Sequence, residues 1–233
     1  MLNLIKLEFK KYKFKGSWLG VLIANLSLLA IVALMYFDPA SLENELELLN
    51  YQTTFFTIDT IIRATFIIYA STLITKFVID EYKNKTISLM FTYPVSRKKL
   101  IAAKLTIIFV WTALVIILSN IFITSALLLT NKYFGYIPGP LTADILIDHV
   151  LRTLLNAVAA AGLSLIPLLI GMWKKSVPGT IVSSIVIVSI FGSSTGTDGS
   201  SLFQYIAVSI TLGILGIIVA IFSIRNVDKV DLV

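Results

Sequence analysis

The sequence contains no cysteine and only one histidine in 233 residues. Without cysteine the chain can form neither a disulfide, nor a thiolate metal site, nor a cysteine nucleophile. Because His149 is the single histidine, no zinc site and no serine-histidine triad can be assembled around it, and we interpret it as an interfacial polar residue. The absent residue types therefore exclude these classes of catalytic and metal centre.

Nucleotide-binding and hydrolase motifs are also absent from the sequence. It has no phosphate-binding loop of the form GxxxxGK[ST], no glycine-rich dinucleotide fingerprint, no HExxH and no GxSxG. We therefore expect no cofactor on this chain and no ATP hydrolysis by it.

Charged residues are scarce, at 14%, whereas 57% of residues are apolar and the mean hydropathy is +0.92. A water-soluble globule does not tolerate such a composition. The chain is predicted to be a single all-α transmembrane domain over residues 1–233, with about six membrane-spanning helices because six apolar stretches have the required length. These stretches are 17–37, 58–78, 105–130, 150–173, 177–195 and 202–224. The fifth is the weakest and is expected to be short, re-entrant or broken, since it carries Ser183, Ser184 and Ser189.

Basic residues are distributed unevenly between the connecting segments. All but Arg63, Lys132 and Arg152 of the 19 lysines and arginines fall at the N-terminus, between the second and third spans, between the fourth and fifth, or after the sixth. By the positive-inside rule, this pattern predicts a multi-pass protein of the cell membrane with both termini in the cytoplasm. The partner of these basic residues is then the lipid bilayer and not a nucleic acid.

The first 16 residues combine a basic face with apolar residues Leu2, Ile5 and Phe9. This pattern predicts an amphipathic helix in the headgroup layer, although a merely basic tail that sets the orientation explains it equally.

Small residues between Ala157 and Gly162, followed by Pro167, predict close helix packing and a kink. Gly213 and Gly216 offer a second close-packing surface, in the last span. For both small-residue segments, the alternative is a surface that moves or contacts another subunit.

Asp59 and Arg63 are ionisable residues expected at the outer end of the second helix. Their spacing places them on one helix face, where they can pair. Two interpretations stay open: a structural pair or interfacial anchor, and a site that contacts cargo near the outer leaflet.

The segment 80–104, between the second and third spans, is predicted to be a helix, a corner and a second helix. Ile87, Met90 and Phe91 share one helix face, Pro94 ends that helix, and Ser96 can cap the next one. The apolar face either inserts into a cleft of a soluble partner or rests on the bilayer interface.

The order of residues in this segment resembles the loop of ABC-2 type transporter permeases. The matching positions are Glu81, Thr86, Leu89, Thr92, Pro94, Val95, Ser96, Arg97 and Lys104, whereas Lys85 stands where the family commonly has glycine. The resemblance implies a coupling helix formed by Glu81, Thr86, Ile87, Leu89, Met90, Phe91, Pro94, Val95, Ser96, Arg97 and Lys104. It also implies a second contact at Lys174, Lys175 and Ser176.

The same resemblance implies the partners and the function of the chain. It implies that the chain is the transmembrane subunit of a bacterial ABC exporter. Its implied partners are a second permease copy and two ATP-binding subunits, which hold ATP and Mg. The cargo is expected to be amphiphilic, such as an antimicrobial or other peptide or a lipid-like drug. The alternatives are an ATP-independent carrier or channel and a non-transporting immunity or scaffold protein.

Overall fold

The computed structural model describes residues 15–37, 50–80, 97–135, 137, 139–174, 176–192 and 205–230, and within them the regular structure is helical. We number the helices in chain order. They are α1 (Lys15–Phe37), α2 (Tyr51–Ile74) with a π turn at Thr75–Ile79, α3 (Arg97–Phe134), α4 (Ala143–Leu163), α5 (Pro167–Lys174), α6 (Val177–Gly192) and α7 (Ile206–Val230). The predicted all-α architecture is confirmed for these residues.

Five stretches of the described chain are long and apolar enough to cross a membrane: Gly16–Met35, Tyr51–Ile79, Lys98–Phe134, Ala143–Trp173 and Ile206–Ile224. The helix at Val177–Gly192 has 16 residues, which corresponds to about 24 Å, less than a hydrocarbon core of about 30 Å. Five of the six expected spans are therefore supported by length and composition, and the fifth in sequence is the short one, as its serines indicate.

Helix α2 begins seven residues earlier than the apolar stretch predicts, at Tyr51 instead of Ile58. Asn50 caps it: the Asn50 side chain accepts from the Thr53 backbone N–H at 2.8 Å, and the Thr53 hydroxyl accepts from the Asn50 N–H at 3.2 Å. This capping box satisfies backbone groups that the helix itself leaves free. Gln52 and Thr53 make the first turn polar, so hydropathy alone places the start too late.

The bundle core is built around α2, whose Phe66, Ile67 and Ala70 are fully buried. Helix α1 lies at the periphery, with Leu19 and Leu34 more than half exposed. It contacts α2 where the Tyr69 hydroxyl donates to the Ser17 carbonyl at 2.8 Å. The exposed apolar side chains of α1 are suited to lipid, which does not penalise them as water does.

Helices α4 and α7 cross at a contact made by small residues. A Cβ atom on Gly213 would lie 2.7 Å from the Ala159 Cα atom, and one on Gly216 would meet the Gly162 carbonyl oxygen. Only glycine permits so close an approach of two backbones. The two small-residue segments are therefore one contact between helices of the same chain.

The predicted kink before Pro167 is confirmed as a break between α4 and α5. Helix α4 ends at Leu163, and the Leu165 and Ile166 N–H groups donate to the Gly162 and Leu163 carbonyls, three residues back, at 3.0 and 3.1 Å. Pro167, which has no N–H, then occupies the first position of α5, where none is needed.

Candidate functional site

Helix α2 places Asp59 and Arg63 on one face, where they form an ion pair inside the bundle. The Arg63 Nη2 and Asp59 Oδ2 atoms are 3.0 Å apart. Asp59 is 4% exposed and Arg63 is 1% exposed. The expectation that the pair lies at the end of the second helix is wrong, because α2 begins at Tyr51 and Asp59 lies about 12 Å further along its axis.

Three other helices hold this pair. Asn156 of α4 donates its amide to Asp59 Oδ2 at 3.0 Å, and Asn120 of α3 donates to Asp59 Oδ1 at 3.4 Å. Arg63 Nη1 donates to the Ser209 hydroxyl of α7 at 3.3 Å. A buried charge is tolerated when it is paired and hydrogen-bonded, so this network offsets a desolvation cost of several kcal/mol per ion. It also fixes α2, α3, α4 and α7 relative to one another.

A cavity of about 270 Å³ opens beside Asp59, between the first halves of α2 and α4. Its wall includes Phe55, Phe56, Thr153 and Asn156. The Thr153 hydroxyl and the Asn156 Oδ1 atom are buried and have no hydrogen-bond partner among the described residues. Because buried polar atoms are usually satisfied, these two atoms leave hydrogen-bonding capacity unused beside the cavity.

The mouth of the cavity carries a second pair of an aspartate and an arginine. The Arg152 Nε and Asp148 Oδ2 atoms are 2.6 Å apart, and both side chains are about half exposed. Beside them His149 stacks on Phe55, with ring centroids 4.4 Å apart, and its Nε2 atom lies 3.3 Å from the Thr124 hydroxyl. His149 is thus half-buried at the rim of the cavity and has a partner on α3.

The opposite end of α2 leads into the segment that resembles the permease loop. There Lys104 is buried, and its Nζ atom donates to the Phe77 carbonyl, in the π turn, at 3.0 Å. This bond joins α2 to α3 where the two helices flank residues 81–96. Arg97 is the first residue of α3. The other predicted coupling residues lie outside the described residues: Glu81, Thr86, Ile87, Leu89, Met90, Phe91, Pro94, Val95 and Ser96.

Of the predicted site residues, the structure brings Asp59 and Arg63 together and places Lys104 at the other end of α2. Sequence reasoning did not identify Asn120, Asn156 and Ser209 as their partners. Asparagines in the middle of apolar stretches are a signal, since an amide in a membrane span needs a partner inside the protein. Which partner it finds depends on how the helices pack.

These observations define a class of protein: a multi-pass helical membrane protein with a buried charged network inside its bundle and a basic segment in the sequence between α2 and α3. Residues 4–192 match the family described as ABC-2 family transporter protein. The chain belongs to this family, so the predicted family is confirmed, and the chain is a membrane component of an ABC transporter.

The chain is also similar to another protein over almost its whole length. The chain is 39% identical over 230 residues to a Bacillus subtilis (strain 168) protein with the name "Uncharacterized protein YcbO", and the match covers 99% of this chain and 100% of the relative. No solved structure matches the chain.

Proposed function

We propose that the chain is the permease subunit of an ATP-driven exporter, and that a separate chain hydrolyses the ATP. Family membership carries this proposal. The residues between α2 and α3 support it, because the family's motif positions occur there in order, from Glu81 to Lys104. The complete transporter would contain two ATP-binding subunits with ATP and Mg, and a second permease copy, identical or different. The cargo would be an amphiphile leaving a bacterial cell.

The bond between Lys104 and Phe77 suggests how the loop would act on the bundle. A force applied at residues 81–96 is transmitted to α2 and α3 together, because the Lys104 ammonium group and the Phe77 carbonyl tie them at the base of the loop. Helix α2 then runs about 27 Å from Phe77 to Asp59. Movement of the ATP-binding subunits would thus reach the buried network through one helix.

The experiment that tests this proposal is co-purification of the chain with its ATPase, followed by measurement of ATP turnover. Met90→Ala together with Phe91→Ala should lower complex formation and permease-dependent ATP turnover at least fivefold, because both side chains belong to the predicted docking face. Ile121→Ala, at a side chain that is 61% exposed on α3, is the matched control and should change neither. Absence of any complex with the wild-type chain would contradict the proposal.

One observation favours a second candidate function, an ATP-independent carrier or channel. The sequence shows almost no charged residues inside its spans, yet the structure places Asp59 and Arg63 in the bundle interior, and buried charges are common in ion-coupled carriers. Flux driven by an ion gradient in vesicles that contain only this chain would support the carrier. Flux that requires the ATPase and stops when its phosphate-binding loop is mutated would support the exporter.

A further inference from the structure

Two polar side chains in the wall of the cavity beside Asp59 carry an atom that has no hydrogen-bond partner among the described residues. Asn156 must direct its amide nitrogen toward Asp59, because a carboxylate only accepts, and this fixes its carbonyl oxygen Oδ1 on the other side. That oxygen has no partner among the described residues, and neither has the hydroxyl of Thr153, one helical turn earlier on the same face of α4. Both side chains are 95% buried and line the cavity. A ligand that supplies N–H groups would satisfy them.

The charges around the cavity favour a cation. Of the buried pair, Asp59 lines the cavity, whereas Arg63 lies outside its wall and directs one nitrogen toward Ser209. At the mouth, Arg152 is already paired with Asp148, so it adds no unpaired positive charge. The cavity therefore faces the negative end of the internal pair, and an anion would meet a carboxylate there.

Part of the wall is apolar and aromatic. Phe55, Phe56 and Ile145 contribute to it. Aromatic faces attract ammonium groups and also bury methylene groups. A volume of about 270 Å³ equals roughly nine water molecules of about 30 Å³ each, which exceeds the size of a bare metal ion. The described residues also contain no group of three metal-ligating side chains.

We propose that this cavity binds a primary ammonium group carried on an apolar chain, with Asn156 Oδ1, the Thr153 hydroxyl and Asp59 as its acceptors. The inference deepens the proposed function, on which it rests for the idea that the ligand is cargo, by naming the cargo's chemical class. An aminophospholipid head group has the same chemistry and is the second source of such a ligand.

Because the chain has no cysteine, a single engineered thiol can report on occupancy. Gln52→Cys places this thiol at an exposed position of the cavity wall. The full-length variant, in nanodiscs of phosphatidylcholine and phosphatidylglycerol, is treated with a neutral maleimide in the presence of octylammonium, octanol or octanoate. We expect octylammonium to slow modification at least fivefold in a saturable manner, and the other two compounds to have less than a twofold effect. Equal protection by octanol, or no protection by octylammonium, would overturn the proposal.

Two isosteric variants separate binding from folding. Thr153→Val removes a hydroxyl that has no partner among the described residues, so it should leave the fold intact and weaken octylammonium protection about tenfold. Thr112→Val is the matched control, since the Thr112 hydroxyl is equally buried and unpartnered among these residues but does not line the cavity. Unchanged protection in the folded Thr153→Val protein would overturn the proposal, as would protection by sodium ions alone.

The source of the ligand follows from the lipid composition. If phosphatidylethanolamine in the nanodisc slows modification without any added amine, the ligand is a lipid head group. If only octylammonium slows modification, the ligand is a soluble cargo. Both results support an ammonium site. The measurement uses neither the ATPase nor nucleotide. A failure to bind octylammonium is therefore distinguishable from a failure to assemble the exporter.

Discussion

Asp59 with Arg63 and Asp148 with Arg152 are the same pair of residue types at the same helical spacing, in two different environments. The first pair is nearly inaccessible, and the second is about half exposed. Removing one partner of a buried pair leaves an uncompensated buried charge. Removing one partner of an exposed pair costs little, because water solvates the remaining charge. The chain thus contains its own internal control for the role of the buried pair.

We expect Asp59→Leu to destabilise the protein by about 3 to 5 kcal/mol, because Arg63 is then buried without its counter-charge. The double variant Asp59→Leu with Arg63→Met should recover at least half of that loss. Asp148→Asn should cost less than about 1 kcal/mol. Thermal unfolding of the purified chain in detergent measures all three, and a double variant no more stable than Asp59→Leu would contradict the ion-pair interpretation.

At this scale the sequence predicts the pair but not its surroundings. The spacing of Asp59 and Arg63 is sufficient to place both on one face of α2, because helical periodicity is local. Their contacts with Asn120, Asn156 and Ser209 join residues between 61 and 146 positions apart in sequence. Such contacts depend on helix packing, and neither composition nor periodicity contains that information.

Helices α4 and α7 approach each other closely through backbone atoms. We expect Gly213→Ala to destabilise the bundle by about 1 to 3 kcal/mol, because the added methyl group meets the Ala159 backbone and forces the helices apart. Gly16→Ala is the control: a Cβ atom there meets nothing within 4 Å. If thermal unfolding midpoints of the two variants agree within error, the crossing is looser than the structure indicates.

The junction of α2 and α3 depends on Lys104. Lys104→Met keeps the length of the side chain but leaves the Phe77 carbonyl without the ammonium donor, which should cost about 1 to 3 kcal/mol. We also expect permease-stimulated ATP turnover to fall more than complex formation does, since Met90 and Phe91 of the predicted docking face are unchanged. Lys99→Met, at an exposed lysine of the same helix, should match wild type in both assays. A parallel loss of complex and turnover in Lys104→Met would instead indicate a role in docking.

Helix boundaries could be predicted only where a local signal marks them. Pro167 marks the start of α5, and the serines of α6 mark a short helix. Helix α3 begins at Arg97, as the candidate cap Ser96 predicts, but it has 38 residues, or about 57 Å, and ends at Phe134, beyond the apolar stretch 105–130. Polar residues such as Lys98 and Asn131 do not stop a helix when its ends leave the hydrocarbon layer, so hydropathy underestimates its length.

For the whole molecule, the proposed orientation puts both termini and residues 81–96 in the cytoplasm. The two ends of α3 test this in one helix, because its lysine-rich start and Tyr133, which is 83% exposed, should lie on opposite sides of the membrane. We expect Tyr133→Cys to react with a membrane-impermeant maleimide in intact cells, and Lys99→Cys to react only after permeabilisation. The reverse pattern would show that the chain is inserted the other way.

The π turn at Thr75–Ile79 has a geometric consequence for the whole transporter. A π turn carries more residues than an α turn, and each residue of an α-helix contributes about 100° of rotation and 1.5 Å of rise. Tightening this turn by one residue would therefore rotate the two helical segments on either side of it by about 100° relative to each other. A helix with such a turn would convert a small displacement along its axis into a rotation about that axis.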